Sequence, residues 1–254
     1  MKKQLKFFAA ALLMIGAVAS CSKPDNGKKG NDDGDNNGPS EEGAIVIDGK
    51  WDDWNAIPED ELVASKLDPD SDKTAIRTIK FFNTEQYLYV YAELDPEKVG
   101  TAFTESEKWD SGKGQPRSLR FMIDEDNSDT TGGSDIDFPE AEWGIDVLVD
   151  AYIWADAGNI KLGWSECWNF KQDAEVGYPF IGLIEQNTAL DNMVVTPNNV
   201  AGNMVKGFYA VELAIDKTLL DLEKTIKVGV FLVDDAWVYA GMMPSDGIPF
   251  TLNL

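Results

Sequence analysis

Asp124, Asp126 and Asp146 carry the most concentrated chemistry in this chain. They belong to FMIDEDNSDTTGGSDIDFPEAEWGIDVLVDA, residues 121–151, where seven Asp and three Glu stand between two apolar, strand-like runs. Asp124 and Asp126 lie two apart at a predicted strand end, so both carboxylates can point to one side. Asp146 opens the next apolar run. Carboxylates crowded against hydrophobic sequence destabilise one another unless a cation neutralises them. Calcium takes six to eight hard oxygen ligands at about 2.3–2.6 Å, and magnesium suits an all-protein cage less well. The segment is not an EF-hand, because the sixth position counted from Asp124 is Asp129 rather than Gly. The expected core ligands are Asp124, Asp126 and Asp146, with Asp129, Asp135, Asp137, Glu140 and Glu142 as further oxygen donors. A site drawing on two strand ends pins the loop between them rather than activating water. The alternative is a solvated acidic loop in an acidic protein.

The chain has no His. That removes the commonest general base, the usual nucleophilic triad and the commonest zinc ligand together. Acid–base chemistry would need a pair of carboxyls about 5–10 Å apart across a sugar, and no local signature picks such a pair from the 45 acids. A binding role is therefore expected ahead of an enzymatic one. Eight Trp residues supply ring faces on which sugars can stack. Trp54, in a strand-entry motif, is expected in the core, while Trp154, Trp164 and Trp168 lie in strand-like runs and read either way. Trp109 and Trp237 stand in polar, loop-like surroundings.

These groups need elements to position them. Residues 1–20 read as a signal peptide, with Lys2, Lys3 and Lys6 before an apolar run of 13 residues from Phe7 to Ala19. Such a run is too short for a spanning helix, which needs roughly 20. Val18-Ala19-Ser20-Cys21 resembles a bacterial lipobox, which implies cleavage before Cys21 and acylation of its thiol. Residues 21–43 then form a lipidated Cys and a tether. From residue 22 on the tether contains no Ala, Val, Leu, Ile, Met or aromatic side chain, and its coil reach is about 25 Å. Cleavage removes three Lys and no acid, which takes the net charge from −23 to −26. That field repels phosphate backbones and anionic lipid, so nucleic acid is excluded as a partner and the lipid alone holds the membrane. Only Cys167 remains to pair, so no internal disulfide forms, and a small buried hydrophobe is expected there.

Residues 44–254 have no second linker and read as one domain. TIKFFNTEQYLYVYAEL predicts a hairpin turning at residues 83–86, and SLRFMID, GIDVLVDAYIWA, NIKLGWSECW, KGFYAVELAI and TIKVGVFLVDD predict further strands. Helical pattern is confined to short pieces such as residues 217–224, KTLLDLEK. Many short strands separated by turn residues imply an all-β, antiparallel β-sandwich.

Three stretches add a resemblance. IVIDGKWDDWNAIP (45–58) resembles the opening strand of family 9-like carbohydrate-binding modules, with Asp53 and Trp54 at the motif. GFYAVELAID and VGVFLVDD are similar to two later strands of those modules. Between them, Asp124, Asp126, Asn127, Thr131, Gly132, Gly144 and Asp146 follow the order found in surface lipoproteins of this DOMON-like fold. The resemblance implies calcium near one sheet edge and a carbohydrate ligand. In those modules two rings sandwich a sugar, which assigns Trp109 and Trp237 to that role. Arg117 and Asp235, with Asp110 and Asp234, would be polar partners, and the acidic field favours a neutral glycan. The N-terminus resembles that of Bacteroidetes outer-membrane lipoproteins serving glycan capture beside a transporter and its uptake proteins. Ser22-Lys23-Pro24-Asp25 carries only one early acid, which leaves the membrane face open. Two alternatives stand beside this reading: a calcium-stiffened adhesion module and a carboxylate-dependent glycoside hydrolase.

Overall fold

Period-two alternation becomes twelve strands. The computed structural model describes residues 45–67, 75–99, 117–129, 131–133, 144–170, 180–186, 194–196, 200–233, 239–244 and 247–254. By compactness the chain divides into Met1–Asp35 and Asn36–Leu254, and every described residue lies in the second unit. The strands are β1 (Ala64–Leu67), β2 (Ile76–Asn83), β3 (Tyr87–Leu94), β4 (Arg117–Asp124), β5 (Val147–Asp156), β6 (Asn159–Phe170), β7 (Phe180–Gln186), β8 (Val200–Val205), β9 (Phe208–Asp216), β10 (Thr225–Val233), β11 (Tyr239–Met243) and β12 (Phe250–Asn253). Among the described residues, two short helices, α1 (Asp52–Ala56) and α2 (Pro96–Val99), and two 3-10 turns complete the regular structure. No helix among the described residues is long and apolar enough to cross a membrane.

All pairings are antiparallel, in the order β1-β2-β3-β9-β8-β6-β5-β4-β10-β11, with β7 beside β6 and β12 beside β10. The fold is an all-β, curled antiparallel sheet. Among the described residues, β6 meets β8 at the pair Ile160↔Gly202. A side chain at Gly202 would meet the Ala210 carbonyl oxygen at 2.5 Å and Ile160 Cβ at 2.7 Å, so only glycine allows the approach. At the far side the curl brings β2 beside β11, where the Ala75 amide donates to the Ala240 carbonyl at 3.0 Å.

One core fills the inside of the curl. Ile79 and Phe81 of β2, Leu88, Val90, Ala92 and Leu94 of β3, and Val211, Leu213 and Ile215 of β9 meet Leu119, Phe121 and Ile123 of β4, Val147, Val149 and Ala151 of β5, and Ile226, Val228, Val230 and Leu232 of β10. Cys167 is buried in this cluster, as its sequence setting implied. Strands whose even positions point inward must present their odd positions on the other face, and those outer faces carry the remaining chemistry.

One outer face is covered by residues 45–57. On β9 the outward positions are Ala210, Glu212 and Ala214; on β3 they are Tyr87, Tyr89 and Tyr91. The two alanines leave room beside Tyr89 and Tyr91, and Trp54 packs there with only 1% exposure. Its ring centroid lies 5.6 Å from that of Tyr91, and Trp51 meets the same tyrosine edge-on at 5.3 Å. Trp54 is thus core, as expected, but its motif is not a strand. Asp53 turns the chain instead, accepting from the Val46 amide at 2.8 Å and from the Trp54 amide at 2.8 Å. The helical expectation at 217–224 also shrinks, to a single 3-10 turn at Lys217–Leu219 capped by Asp216. Leu219, Leu220 and Leu222 still pack against the core, but a stretch this short does not recover the cost of nucleating a longer helix.

Candidate functional site

The two ends of the acidic segment between β4 and β5 are held together. β4 ends at Asp124, opposite Lys227 of β10. Beyond it, the described residues 125–129 and 131–133 lead to the bridge Gly133↔Ile145. The Asp146 amide donates to the Ile123 carbonyl at 2.9 Å, which draws the entry of β5 against the end of β4. The closure depends on glycine. A Cβ on Gly144 would lie 2.2 Å from the carbonyl oxygens of both Ser128 and Thr131; Gly132, at φ +68°, would meet the Ile145 oxygen at 2.5 Å. Asn127 takes a left-handed φ of +54°, which Asn tolerates better than most residues.

This closure gathers the three carboxylates. Asp124, Asp126 and Asp146 each offer an oxygen within 4.8 Å of the others, and Asp124 is fully buried. The Ser128 amide donates to Asp124 Oδ1 and Asp126 Oδ1, both at 3.0 Å; Thr131 Oγ1 donates to Asp126 at 2.9 Å; and the Glu125 amide donates to Asp146 Oδ2 at 2.9 Å. An ionised carboxylate has about four lone-pair directions, so these bonds orient the group and leave acceptor capacity. Lys227 Nζ lies 3.1 Å from Asp124 Oδ2 and balances one of the three charges. Burial raises the pKa of Asp124, against the pull of Lys227 and the Ser128 amide, and also raises that of Asp146. Glu125 is pushed up to about 7 by burial, although the Asp221 amide donates to it at 3.2 Å. The trio can hold a metal ion, and its all-oxygen donor set fits a hard cation rather than zinc. Asp129 is exposed on the loop, while Asp135, Asp137, Glu140 and Glu142 lie outside the described residues.

A second constellation occupies the outer face of β4, β5 and β6. Register aligns Ser118 with Tyr152 and Tyr152 with Trp164; it aligns Arg120 with Asp150 and Asp150 with Glu166. Arg120 grips Asp150 through two bonds, Nε to Oδ1 at 2.9 Å and Nη2 to Oδ2 at 3.0 Å, and the Ser118 hydroxyl also donates to Oδ1. Arg120 is 7% exposed and Asp150 1%, so this ion pair is desolvated, beside a second buried cluster on the same face formed by Met122, Leu148, Phe231 and Val233. The Tyr152 and Trp164 rings stack at 4.2 Å and 16°. Trp168 Nε1 donates to Glu166 Oε2 at 3.3 Å, and its ring packs against Met122, Leu148 and Phe231. Burial raises the Glu166 pKa, opposed by the Trp168 indole. Trp164, Glu166 and Trp168 are half-buried.

A third group explains how residues 45–57 are held. Glu212 Oε1 accepts from the amides of Asp48 at 2.8 Å and Gly49 at 2.6 Å, and Oε2 accepts from Trp54 Nε1 at 3.0 Å. Burial pushes the Glu212 carboxyl up to about 7, although all three donors pull it down.

The expected site residues thus fall into two sets. Asp124, Asp126 and Asp146 come together. Arg117 is 5% exposed, its Nε donating to the Val99 carbonyl at 3.2 Å, on the opposite face of β4 from Arg120. Trp109, Trp237, Asp235, Asp110, Asp234 and Cys21 lie outside the described residues. Sequence reasoning passed over Ser118, Arg120, Asp150, Tyr152 and Glu166. A signal was present: in SLRFMID and VLVDAYIW the positions alternating with the core residues mix polar, aromatic and apolar side chains (Ser118, Arg120 and Met122; Leu148, Asp150, Tyr152 and Trp154), which is not the pattern of a simply solvated face. Compared with known proteins, the chain matches no family model and no curated protein sequence.

Proposed function

We propose that the protein is a lipid-anchored outer-membrane lipoprotein whose β-sandwich domain captures a neutral glycan without cleaving it and carries one structural calcium ion. The observation that carries this reading is the convergence of Asp124, Asp126 and Asp146 within 4.8 Å, across the end of β4 and the entry to β5. Those residues stand in the order that resembles surface lipoproteins of this DOMON-like fold, a resemblance that implies calcium near one sheet edge. Further support comes from the other stretches of that resemblance, since Trp54 of the first hydrogen-bonds Glu212 of the second. Calcium would be held by the three Asp carboxylates, and its charge would offset their mutual repulsion and fasten residues 125–129 to the entry of β5. The lipid on Cys21 and the tether at 21–43 would present the domain to soluble glycan, beside the proteins of an uptake complex.

The test is binding of the full chain, in detergent with calcium, to an array of neutral and acidic glycans. Retention of a neutral glycan is the expected result. Silence across the array from folded, calcium-loaded protein would favour a protein-adhesion module instead. Release of reducing ends from a bound polysaccharide would replace the binding role by hydrolysis.

A further inference from the structure

The acidic trio has a cation built into the sheet beside it. On β10 the residues Ile226, Val228, Val230 and Leu232 face the core, so Lys227 projects from the opposite face by alternation. Register sets it directly across from Asp124. A surface lysine ordinarily keeps its ammonium in water. Here the side chain is 24% exposed, and Nζ lies 3.1 Å from Asp124 Oδ2, an oxygen of a side chain with no exposure at all. The Ser128 amide donates to the other oxygen of that carboxylate at 3.0 Å. Asp126 and Asp146 bring two further carboxylate oxygens to within 4.8 Å.

Three carboxylates this close, in a poorly solvated place, cost stability unless positive charge offsets them. Lys227 supplies one such charge from a strand that neighbours β4 in space but stands 103 positions away in the chain. The same side chain is an obstacle to a divalent cation. An ammonium repels a second positive ion nearby, and it takes up acceptor capacity of Asp124.

We infer that Lys227 is a built-in competitor of the cation at Asp124, Asp126 and Asp146: it offsets part of the trio's charge when no metal is bound, and it lowers the trio's affinity for calcium. The inference rests on the calcium reading above and adds a residue outside the ligand set that tunes the affinity. The two positive charges oppose one another thermodynamically. Removing the lysine charge therefore strengthens calcium binding, and saturating calcium erases what that charge contributes to stability. An orienting role for Lys227 would act with the opposite sign, because a ligand that loses the partner fixing it binds metal about 10–100-fold more weakly.

The experiment is calorimetric titration of the full chain, in detergent, with calcium chloride, beside thermal melts in EDTA and in saturating calcium. Lys227→Met keeps most of the stem and removes the charge. Lys227→Gln keeps a donor for Asp124 and serves if the methionine variant does not fold. Lys161→Met makes the same change in net charge at a 51% exposed side chain, paired with Asp156 across the turn between β5 and β6. Both Lys227 variants should bind calcium about tenfold more tightly than the parent, and Lys161→Met should stay within about twofold of it. In EDTA Lys227→Met should melt below the parent, and saturating calcium should close that gap. Unchanged or weaker calcium binding by the folded Lys227 variants would overturn the competitor and leave the calcium reading standing. A melt in EDTA no lower than the parent's would overturn the counter-ion role. Absence of calcium binding from the parent and both Lys227 variants would remove the calcium reading and the inference with it.

Discussion

Replacing Glu212 with Ala isolates the clamp that holds residues 45–57. The substitution leaves the Trp54 indole N–H and the Gly49 amide as buried donors without their acceptor, and the Asp48 amide as a part-buried one. A buried donor left unpaired costs about 1–3 kcal/mol, less where water can enter. Removing the carboxylate also relieves the burial that raises its pKa, which offsets part of the loss. The net destabilisation should be about 3 kcal/mol, a fall in Tm of about 6–12 °C for a domain of this size. Hydrogen exchange makes the location explicit: the Asp48 and Gly49 amides, protected in the parent, should exchange quickly in the variant. The limited trypsin site at Lys50, whose side chain is already exposed, should be cut faster as the segment detaches. A variant with the parental Tm and unchanged protection at Asp48 and Gly49 would refute the clamp.

Three further outcomes are expected. A carboxyl whose folded pKa is raised, as at Glu212 from 4.5 to about 7, favours the fold when protonated, and that contribution is lost as pH rises between those values. Stability of the parent relative to Glu212→Gln should therefore fall by up to about 3 kcal/mol between pH 5 and pH 8; urea melts that shift in parallel would contradict the raised pKa. Calcium at one hundred times its Kd should stabilise by about 2.7 kcal/mol and raise Tm by about 5–10 °C. Differential scanning calorimetry should show that rise abolished in Gly144→Ala, because the new Cβ collides with the Ser128 and Thr131 carbonyls, and a preserved calcium shift would separate loop closure from metal binding. Asp150→Ala should cost about 3–5 kcal/mol by stranding the buried Arg120 charge, whereas Arg120→Met with Asp150→Leu should recover most of it; equal loss in both, by denaturant melts, would show that the ion pair is not what fails.

The fold class was legible because alternation in SLRFMID, VLVDAYIW and YLYVYAEL is local: a strand facing one core must alternate whatever its neighbours are. The acidic trio was legible for a similar reason, since Asp124, Asp126 and Asp146 sit at the ends of runs that must be strands. Trp54 could be assigned to the core, but its partner could not, because Glu212 lies 158 positions away and looks like one more acid among 45. The same limit hid the Arg120–Asp150–Glu166 row. Each residue reads as an outward, solvated charge until β4, β5 and β6 are set in register, and register depends on long-range pairing. Composition and period thus determined an acidic, His-free, all-β chain with one oxygen-rich loop. Which strands became neighbours, and so which charges and rings share a face, only the tertiary structure decided, because that choice is made by packing between residues far apart in the chain.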